Sequence, residues 1–293
     1  MHEQIVQFLT CPICRAPLVF EGRKSSKRFV NGYFKCSKGH IYQVKEEIGL
    51  LKDARFSVNE FEWKVDVADE KRYEEIRKQY SSYLREDQKI AMKKLMEKLV
   101  NHVVKSCEES DNKVLDVATG MGGFILPLAE ESSEDLIIIG TDIDEKPLRG
   151  AMNKAKKTTT YHKISLIVTD AKHLCFKGDV FSTISSNFGF DNVPDTLLAF
   201  NESARILQPE GKIIFSSIWF KVNSESMRLA EERHLGQMAS ETRLRETLRK
   251  VGLVLEWIEE IYCGVWPHNP MDLLPVEGDE YTHMIAQARK PKN

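Results

Sequence analysis

No apolar run in this sequence approaches the roughly 20 residues that a membrane helix needs, so no membrane span is expected. The first apolar stretch, Ile5-Val6-Gln7-Phe8-Leu9, is short and no small-residue cleavage site follows it. A secretory signal is therefore not expected, and the protein reads as cytoplasmic. Cysteine is scarce, six in 293 residues, which excludes a disulfide scaffold. Internal repeats and low-complexity tracts are absent. What remains, 42% hydrophobic and 29% charged, is ordinary globular composition, and the length suits two domains or one large domain with an appendage.

The placement of the cysteines matters more than their number. Cys11, Cys14 and Cys36 fall within the first 40 residues, while Cys107, Cys175 and Cys263 are scattered singly. Charge is uneven too. Residues 1–52 hold nine Lys/Arg against four Asp/Glu, a net of +5. The remaining 33 and 40 give the rest a net of −7. A basic module can mean nucleic acid, and it can equally be a lysine-rich solvated surface.

Three segments follow from composition: 1–52, cysteine-containing and turn-rich; 53–105, a charged helical linker or lid; and 106–293, where short β-rich runs alternate with helical stretches. From Asp69 to Val104 there is no Pro or Gly, and Tyr73, Ile76, Tyr80, Tyr83, Ile90, Leu95, Leu99 and Val103 recur at helical spacing. Two helices are predicted, with a break near Ser81-Ser82. In the last segment, strands are predicted at 113–118, 136–141, 164–168, 180–185 and 212–216. Helical stretches lie between most of them, and 225–251 is largely helical. This alternation predicts an α/β fold, a doubly wound parallel sheet. The final strands, 253–261 and 282–288, have no helix between them and suit an antiparallel edge pair.

Cys11-Pro-Ile-Cys14 and Cys36-Ser-Lys-Gly-His40 form C-x2-C and C-x3-H pairs around a 21-residue insert. Tetrahedral zinc takes four such ligands, and a pair on one tight turn supplies two of them at little cost in chain entropy. A segment of about 50 residues has little core of its own, so a metal would replace missing burial. With four protein ligands the site would be structural. The plain alternative is a redox C-x2-C beside an unrelated Cys and His. The segment resembles zinc ribbons of the Trm112-like type, including His40-Ile-Tyr42-Gln-Val44 and Ile48-Gly-Leu-Leu51. Its second knuckle also resembles the zinc module of bacterial rRNA guanine-N1 methyltransferases, whose inter-knuckle loop is shorter.

Val114-Leu-Asp116-Val-Ala118-Thr119-Gly120-Met-Gly122-Gly123 ends a strand and opens a helix. The dinucleotide fingerprint fails, because its third glycine would fall on Ile125, and no G-K-[ST] follows. Asp142 lies 20 positions after Gly122 at the end of the second strand, where a carboxylate can meet a ribose. Asp170 holds the same place after the third strand. For either Asp142 or Asp144 the plain alternative is a helix N-cap.

These residues resemble class I S-adenosylmethionine (SAM)-dependent methyltransferases. Their first motif appears with Ala118 in place of the first glycine, as also in quinone C-methyltransferases. Thr141-Asp142-Ile143-Asp144 looks like the second motif. Leu207-Gln-Pro209-Glu-Gly211 resembles the turn before strand five, with Glu210 replacing a glycine. Ser186-Asn187-Phe188-Gly189-Phe190-Asp191-Asn192-Val193-Pro-Asp195 is similar to the fourth-motif stretch of ubiquinone/menaquinone C-methyltransferases. The resemblance spans roughly 110–290. It implies a Rossmann-like, seven-stranded, mostly parallel sheet carrying a small N-terminal zinc ribbon. It also implies a SAM site: Asp116 organising the loop near the methionine amine, Ala118, Thr119, Gly120 and Gly122 admitting the cofactor, Asp142 and Ile143 at the ribose, Asp170 and Ala171 at the adenine, and Asn187 and Phe188 at the methyl-donor pocket.

Methyl transfer from a sulfonium is an in-line displacement, so alignment supplies much of the acceleration and no general base need be present. Candidate acceptor-side residues are Tyr73, Tyr80 and Tyr83 from the helical segment, and Asp191, Asn192, Trp266 and His268 from loops. Packing alone would also account for the tyrosines, Trp266 and His268. Three readings remain: a methyltransferase for a small molecule, an RNA methyltransferase gripping its substrate through the basic zinc module, and a non-catalytic SAM-binding or adaptor protein.

Overall fold

The structure, a computed structural model, describes residues 1–53 and 70–292. Asp69, the first part of the expected linker (54–69) and Asn293 lie outside the described residues.

The N-terminal module opens with a short 3-10 turn at Glu3–Phe8, followed by β1 (Leu18–Ser25), β2 (Arg28–Cys36), β3 (Ile41–Lys45) and β4 (Ile48–Leu50), paired antiparallel in sequence order. The larger unit starts with α1 (Glu70–Tyr83) and α2 (Glu86–Glu108). The break falls at Leu84-Arg85, a little later than Ser81-Ser82. Gln88 fixes it, because its Oε1 accepts the Arg85 N–H at 2.9 Å and so starts the second helix. Next come β5 (Lys113–Val117), α3 (Ile125–Glu131), β6 (Ile137–Asp142), α4 (Glu145–Ala155), β7 (Ile164–Val168) and β8 (Phe181–Asn187). After these come α5 (Thr196–Ile206), β9 (Leu207–Phe220), α6 (Glu225–Glu232), α7 (Glu241–Lys250), β10 (Val254–Val265) and β11 (Glu280–Arg289).

The sheet order is β1-β2-β3-β4-β7-β6-β5-β8-β9-β11-β10. Its last seven strands form the seven-stranded Rossmann-like sheet that the resemblance implied, parallel except for β11, which runs antiparallel to both β9 and β10. The sequence suggested a small module beside a seven-stranded sheet. The structure instead joins them edge to edge, with β4 pairing parallel to β7 over Ile48–Leu50 and Leu166–Val168. An open strand edge is an unmet row of backbone donors and acceptors, and here each module closes the other's.

Strand residues alternate between two faces, as period-two geometry requires. Val114, Ile138, Leu166 and Ile214 pack with Leu99 and Val103 of α2 and Leu128 of α3. Leu115, Ile139, Ile167 and Phe215 pack with Phe200 of α5 and Leu244 of α7. Burying both faces explains why these strands read as continuous apolar runs. The join is further fixed by Arg28, which is buried, ion-paired to Glu47 and donates to the Ile164 carbonyl at 3.0 Å. Its guanidinium lies 4.2 Å from the Tyr161 ring centre. No described helix is long and apolar enough to cross a membrane.

Candidate functional site: a cavity at the strand ends and a cysteine–histidine cluster

Because β5, β6, β7 and β8 are parallel, their carboxyl ends share one edge of the sheet, where ligands of open α/β sheets bind. A cavity of about 790 Å³ opens there. Its lining contains Asp116, Ala118, Thr119, Gly120, Asp142, Ile143, Asp170, Ala171, Asn187 and Phe188.

The loop after β5 is held from several sides. Ala118 and Gly120 both have φ of +57°, a left-handed conformation that costs a non-glycine residue roughly 1–2 kcal/mol. The Thr119 N–H donates to the Thr141 carbonyl at 2.8 Å, and its hydroxyl donates to Asp116 Oδ2 at 2.7 Å. Asp116 is fully buried, and the Ser185 hydroxyl donates to its Oδ1 at 2.8 Å. Burial pushes its carboxyl up to about 7 against the pull of these hydroxyls.

Gly122 does not line the cavity. Its φ is +78°, and a Cβ there would meet the Ala151 Cβ at 3.0 Å, so this glycine serves the packing of the loop on α4. At Gly120 a Cβ would meet nothing within 4 Å, which leaves open space beside the backbone.

The two acids after β6 divide their roles. Asp144 is the N-cap of α4, accepting the Lys146 N–H at 3.0 Å. Asp142 is left to the cavity; its Oδ2 accepts the Gly120 N–H at 2.8 Å and its Oδ1 the Asp144 N–H at 3.1 Å. Burial raises its carboxyl above the usual range. Asp170 Oδ1 accepts the Lys172 N–H at 2.8 Å, while its buried Oδ2 meets no hydrogen-bond partner. After β8, the Ser216 hydroxyl donates to Asn187 Oδ1 at 2.8 Å and accepts the Phe188 N–H at 2.9 Å.

The other half of the cavity is more apolar, with Leu84, Met92, Ile218, Phe220, Trp266 and Leu274 in its lining. Tyr73 and Tyr80 reach it from α1; Tyr83 does not. Tyr80 is hydrogen-bonded to Asp272, whose carboxyl burial raises to about 6. Asp191 is present as well. The Ser217 hydroxyl donates to its Oδ1 at 2.6 Å, its Oδ2 is buried without a hydrogen-bond partner, and burial pushes the carboxyl up to about 7. Asn192 lines the cavity and donates to the Phe188 carbonyl at 2.9 Å.

His268 is not in the lining. It lies exposed on the surface, 2.7 Å from Glu277, because the Pro-containing connection after β10 carries it outward. The histidine at the cavity is His283, on β11 opposite Ile218. It sits in a row of rings: Trp266 to Tyr281, 4.9 Å; Tyr281 to His283, 4.8 Å; His283 to Phe188, 5.2 Å. The Tyr281 hydroxyl accepts from Gln88 Nε2 at 2.8 Å. Sequence reasoning passed over His283 and Tyr281. Their signal was present, two polar rings at period two within a strand otherwise fit for burial.

The four N-terminal ligand candidates converge, and their donor atoms all lie within 4.8 Å of one another. The C-x2-C turn precedes β1 and the C-x3-H turn joins β2 to β3, so the 21-residue insert is the β1–β2 hairpin. Gly39, at φ +85°, closes the second turn by donating to the Cys36 carbonyl at 3.0 Å. Cys14 Sγ is 3.7 Å from Cys36 Sγ, and His40 Nδ1 is 3.4 Å from both Cys11 Sγ and Cys36 Sγ. Zn–S bonds of about 2.3 Å and Zn–N bonds of about 2.0 Å in a tetrahedron put sulfurs about 3.8 Å apart and sulfur about 3.5 Å from nitrogen. The three separations of 3.4–3.7 Å are close to these, so the cluster is compatible with a four-ligand zinc site, and the Tyr42 hydroxyl lies 3.1 Å from Cys11 Sγ.

Comparison with known proteins bears on the fold and the family. The ubiquinone/menaquinone biosynthesis C-methyltransferase UbiE of Rickettsia prowazekii (strain Madrid E) is 34% identical over 107 residues, 36% of this chain and 43% of that protein. The match therefore spans less than half the length of that relative. A crystal structure from Bacillus halodurans superposes with a TM-score of 0.53 at 17% identity, over 67% of this chain and 99% of that one. The [4+2]-cyclase SpnF superposes equally well, 0.53 at 16% identity, over 67% and 82%. These likenesses establish the fold, and the cyclase shows that the fold alone does not name the reaction. The model of the ubiE/COQ5 methyltransferase family matches residues 67–236, more than half of the sequence, and the chain belongs to that family.

Proposed function

We propose that this protein is a SAM-dependent methyltransferase acting on a small quinone-type acceptor, with a zinc ion holding its N-terminal ribbon together. The observation that carries the reading is the composite cavity. One half brings together the loop after β5, Asp142 and Asp170. The other is a largely apolar chamber closed by α1 and the residues before Pro275. A volume of 790 Å³ lies in the range of small-ligand pockets, roughly 300–1,000 Å³.

The residues present fit the cofactor. Asp142 offers carboxylate oxygens to ribose hydroxyls. Asp170 Oδ2, buried and without a hydrogen-bond partner among the described residues, suits an adenine amino group. Gly120 leaves the space that a bound molecule needs against the backbone. When bound, SAM supplies a methyl group activated by its sulfonium charge. The chain's own contribution is alignment and exclusion of water, with Phe188, Ile218 and Trp266 shaping the chamber.

Cys11, Cys14, Cys36 and His40 would fill all four zinc positions, which suits a structural ion. Part of the basic charge of this module is used in internal joints. Arg28 binds Glu47, Arg15 binds Glu202 at 3.0 Å, and Lys52 donates to the Ile143 carbonyl at 3.3 Å. That weakens the case for an RNA-binding surface, and the largely apolar chamber, lined by aromatic rings, suits a small planar acceptor. The test is purified protein with methyl-labelled SAM, offered an organic-solvent extract of cells or total RNA. Label in the organic fraction is expected. Label in RNA would overturn the acceptor class, and no transfer to either would favour a SAM-binding protein without this activity.

A further inference from the structure

His283 is 4% exposed and lines the cavity, and its two ring nitrogens are not equivalent. Nδ1 is sealed and meets no hydrogen-bond partner. Nε2 has no partner among the described residues either, yet it is not among the sealed atoms. A buried N–H without an acceptor is rarer and costlier than an unmet lone pair. The favoured tautomer therefore carries its proton on Nε2, the ring nitrogen that is not sealed. Burial alone lowers the imidazole to about 4, with no contribution from a neighbouring charge, so the ring is neutral near pH 7. A second donor in the same chamber, the buried Trp266 Nε1–H, also lacks an acceptor. Two N–H groups in need of an oxygen, in a row of rings that runs from Trp266 through Tyr281 and His283 to Phe188, describe a ligand: planar and oxygen-bearing.

We propose that His283 binds the reacting acceptor by donating Nε2–H to an oxygen conjugated with the carbon that is methylated. The acceptor is then a phenolate- or enolate-type carbon acid. This rests on the reading of the cavity as a methyl-transfer site. In the step, the electron pair of the oxyanion shifts through the ring to the neighbouring carbon. That carbon forms a bond to the methyl as the methyl–sulfur bond breaks, and the bonding pair stays on sulfur. The anion and the sulfonium become a neutral dienone and a neutral thioether. Aromaticity returns when the ring proton on the methylated carbon leaves and a proton is taken up at the oxygen. The His283 proton stays in place throughout and holds the oxygen in register. Neutral N–H donors act this way where negative charge must be steadied without being quenched.

The titratable groups that line the cavity with His283 are Tyr73 and Tyr80 of α1, Asp191 after β8, Asp272 before β11 and Tyr281 on β11 itself, with Asp116, Asp142, Asp170 and Lys172 on the cofactor side. The test uses the full zinc-loaded protein with S-adenosylhomocysteine bound, and 4-nitrophenol, coloured only as its phenolate, as the probe. Wild type is expected to bind the phenolate 10- to 100-fold more tightly than the phenol, the range of a charged hydrogen bond. His283→Gln, which keeps an N–H, should retain most of this preference, and His283→Phe should lose it. A wild-type protein without the preference overturns the proposal whatever the variants do; so does a His283→Phe variant that keeps it.

A second arm measures methyl transfer from SAM to 1,4-naphthohydroquinone. His283→Phe should lose about 100-fold or more in kcat/KM while SAM affinity is unchanged. Equal transfer by wild type and His283→Phe would remove His283 and leave the methyltransferase reading standing. Phenolate preference without any transfer by wild type would leave His283 standing and remove that reading.

Discussion

The Gly120 N–H donates to Asp142 Oδ2 at 2.8 Å, tying the loop after β5 to the end of β6. One carboxylate thus shapes the glycine loop and faces the cavity. Replacing Asp142 by Ala removes both roles, and SAM affinity should fall roughly 10- to 100-fold, as expected for a lost charged hydrogen bond. Calorimetric titration would show this. Asp144→Ala, which removes only the α4 cap, should leave SAM affinity near wild type and cost about 1 kcal/mol of stability.

Gly189 permits the closest approach between the loops after β5 and β8. A Cβ there would lie 2.4 Å from Ser186 Oγ, 2.7 Å from Ala118 Cβ and 2.7 Å from the Val117 carbonyl oxygen. One of these atoms is the backbone oxygen that ends β5 and another the Cβ of the first loop residue, so no side-chain rotation relieves the clash. Gly189→Ala should destabilise the fold by about 1–3 kcal/mol in denaturant unfolding and weaken SAM binding with it.

Much of this arrangement was legible in the sequence. The alternation of β-rich and helical runs carried the parallel sheet, and the glycine loop with Asp142 and Asp170 at successive strand ends marked its ligand edge. Spacing could not separate Asp142 from Asp144, since both follow β6 and both suit an N-cap. Only the backbone geometry assigns the cap to Asp144. Nor could it rank His268 against His283. One lies in a Pro-rich connection that looks functional, the other in a strand that looks structural, and the cross-strand pairing of His283 with Ile218 decides between them. The edge-to-edge join of β4 to β7 was hidden for a similar reason. It is made by backbone groups, which leave little trace in residue type.

Asp116 gives the ligand-free protein a pH signature. Burial raises its carboxyl to about 7 in the folded state, against about 4 unfolded. Between those values the native state holds the extra proton, so stability falls as pH rises from about 4 through 7. Asp116→Asn removes the titration. The wild-type slope of unfolding free energy with pH should therefore be steeper than the variant's over that window, by up to about 1.4 kcal/mol per pH unit.

Zinc stoichiometry near one per chain is expected, falling to near zero in Cys36→Ser. The ribbon continues the main sheet, and the Leu51 N–H donates to the Val168 carbonyl at 2.9 Å, two residues before Asp170. Chelation should therefore lower the midpoint of thermal unfolding of the whole chain. Unchanged zinc content in Cys36→Ser would refute the ligand set.

The central claim, a SAM-dependent transfer of methyl to a small quinone-type acceptor, is tested most directly by locating the methyl. Protein, SAM bearing a labelled methyl group and 1,4-naphthohydroquinone are incubated together, and the product is read by mass spectrometry and NMR. A methyl on a ring carbon is expected, with one S-adenosylhomocysteine formed per product. S-adenosylhomocysteine formed without a methylated ring, or a methylated RNA base in its place when RNA is supplied, would contradict it.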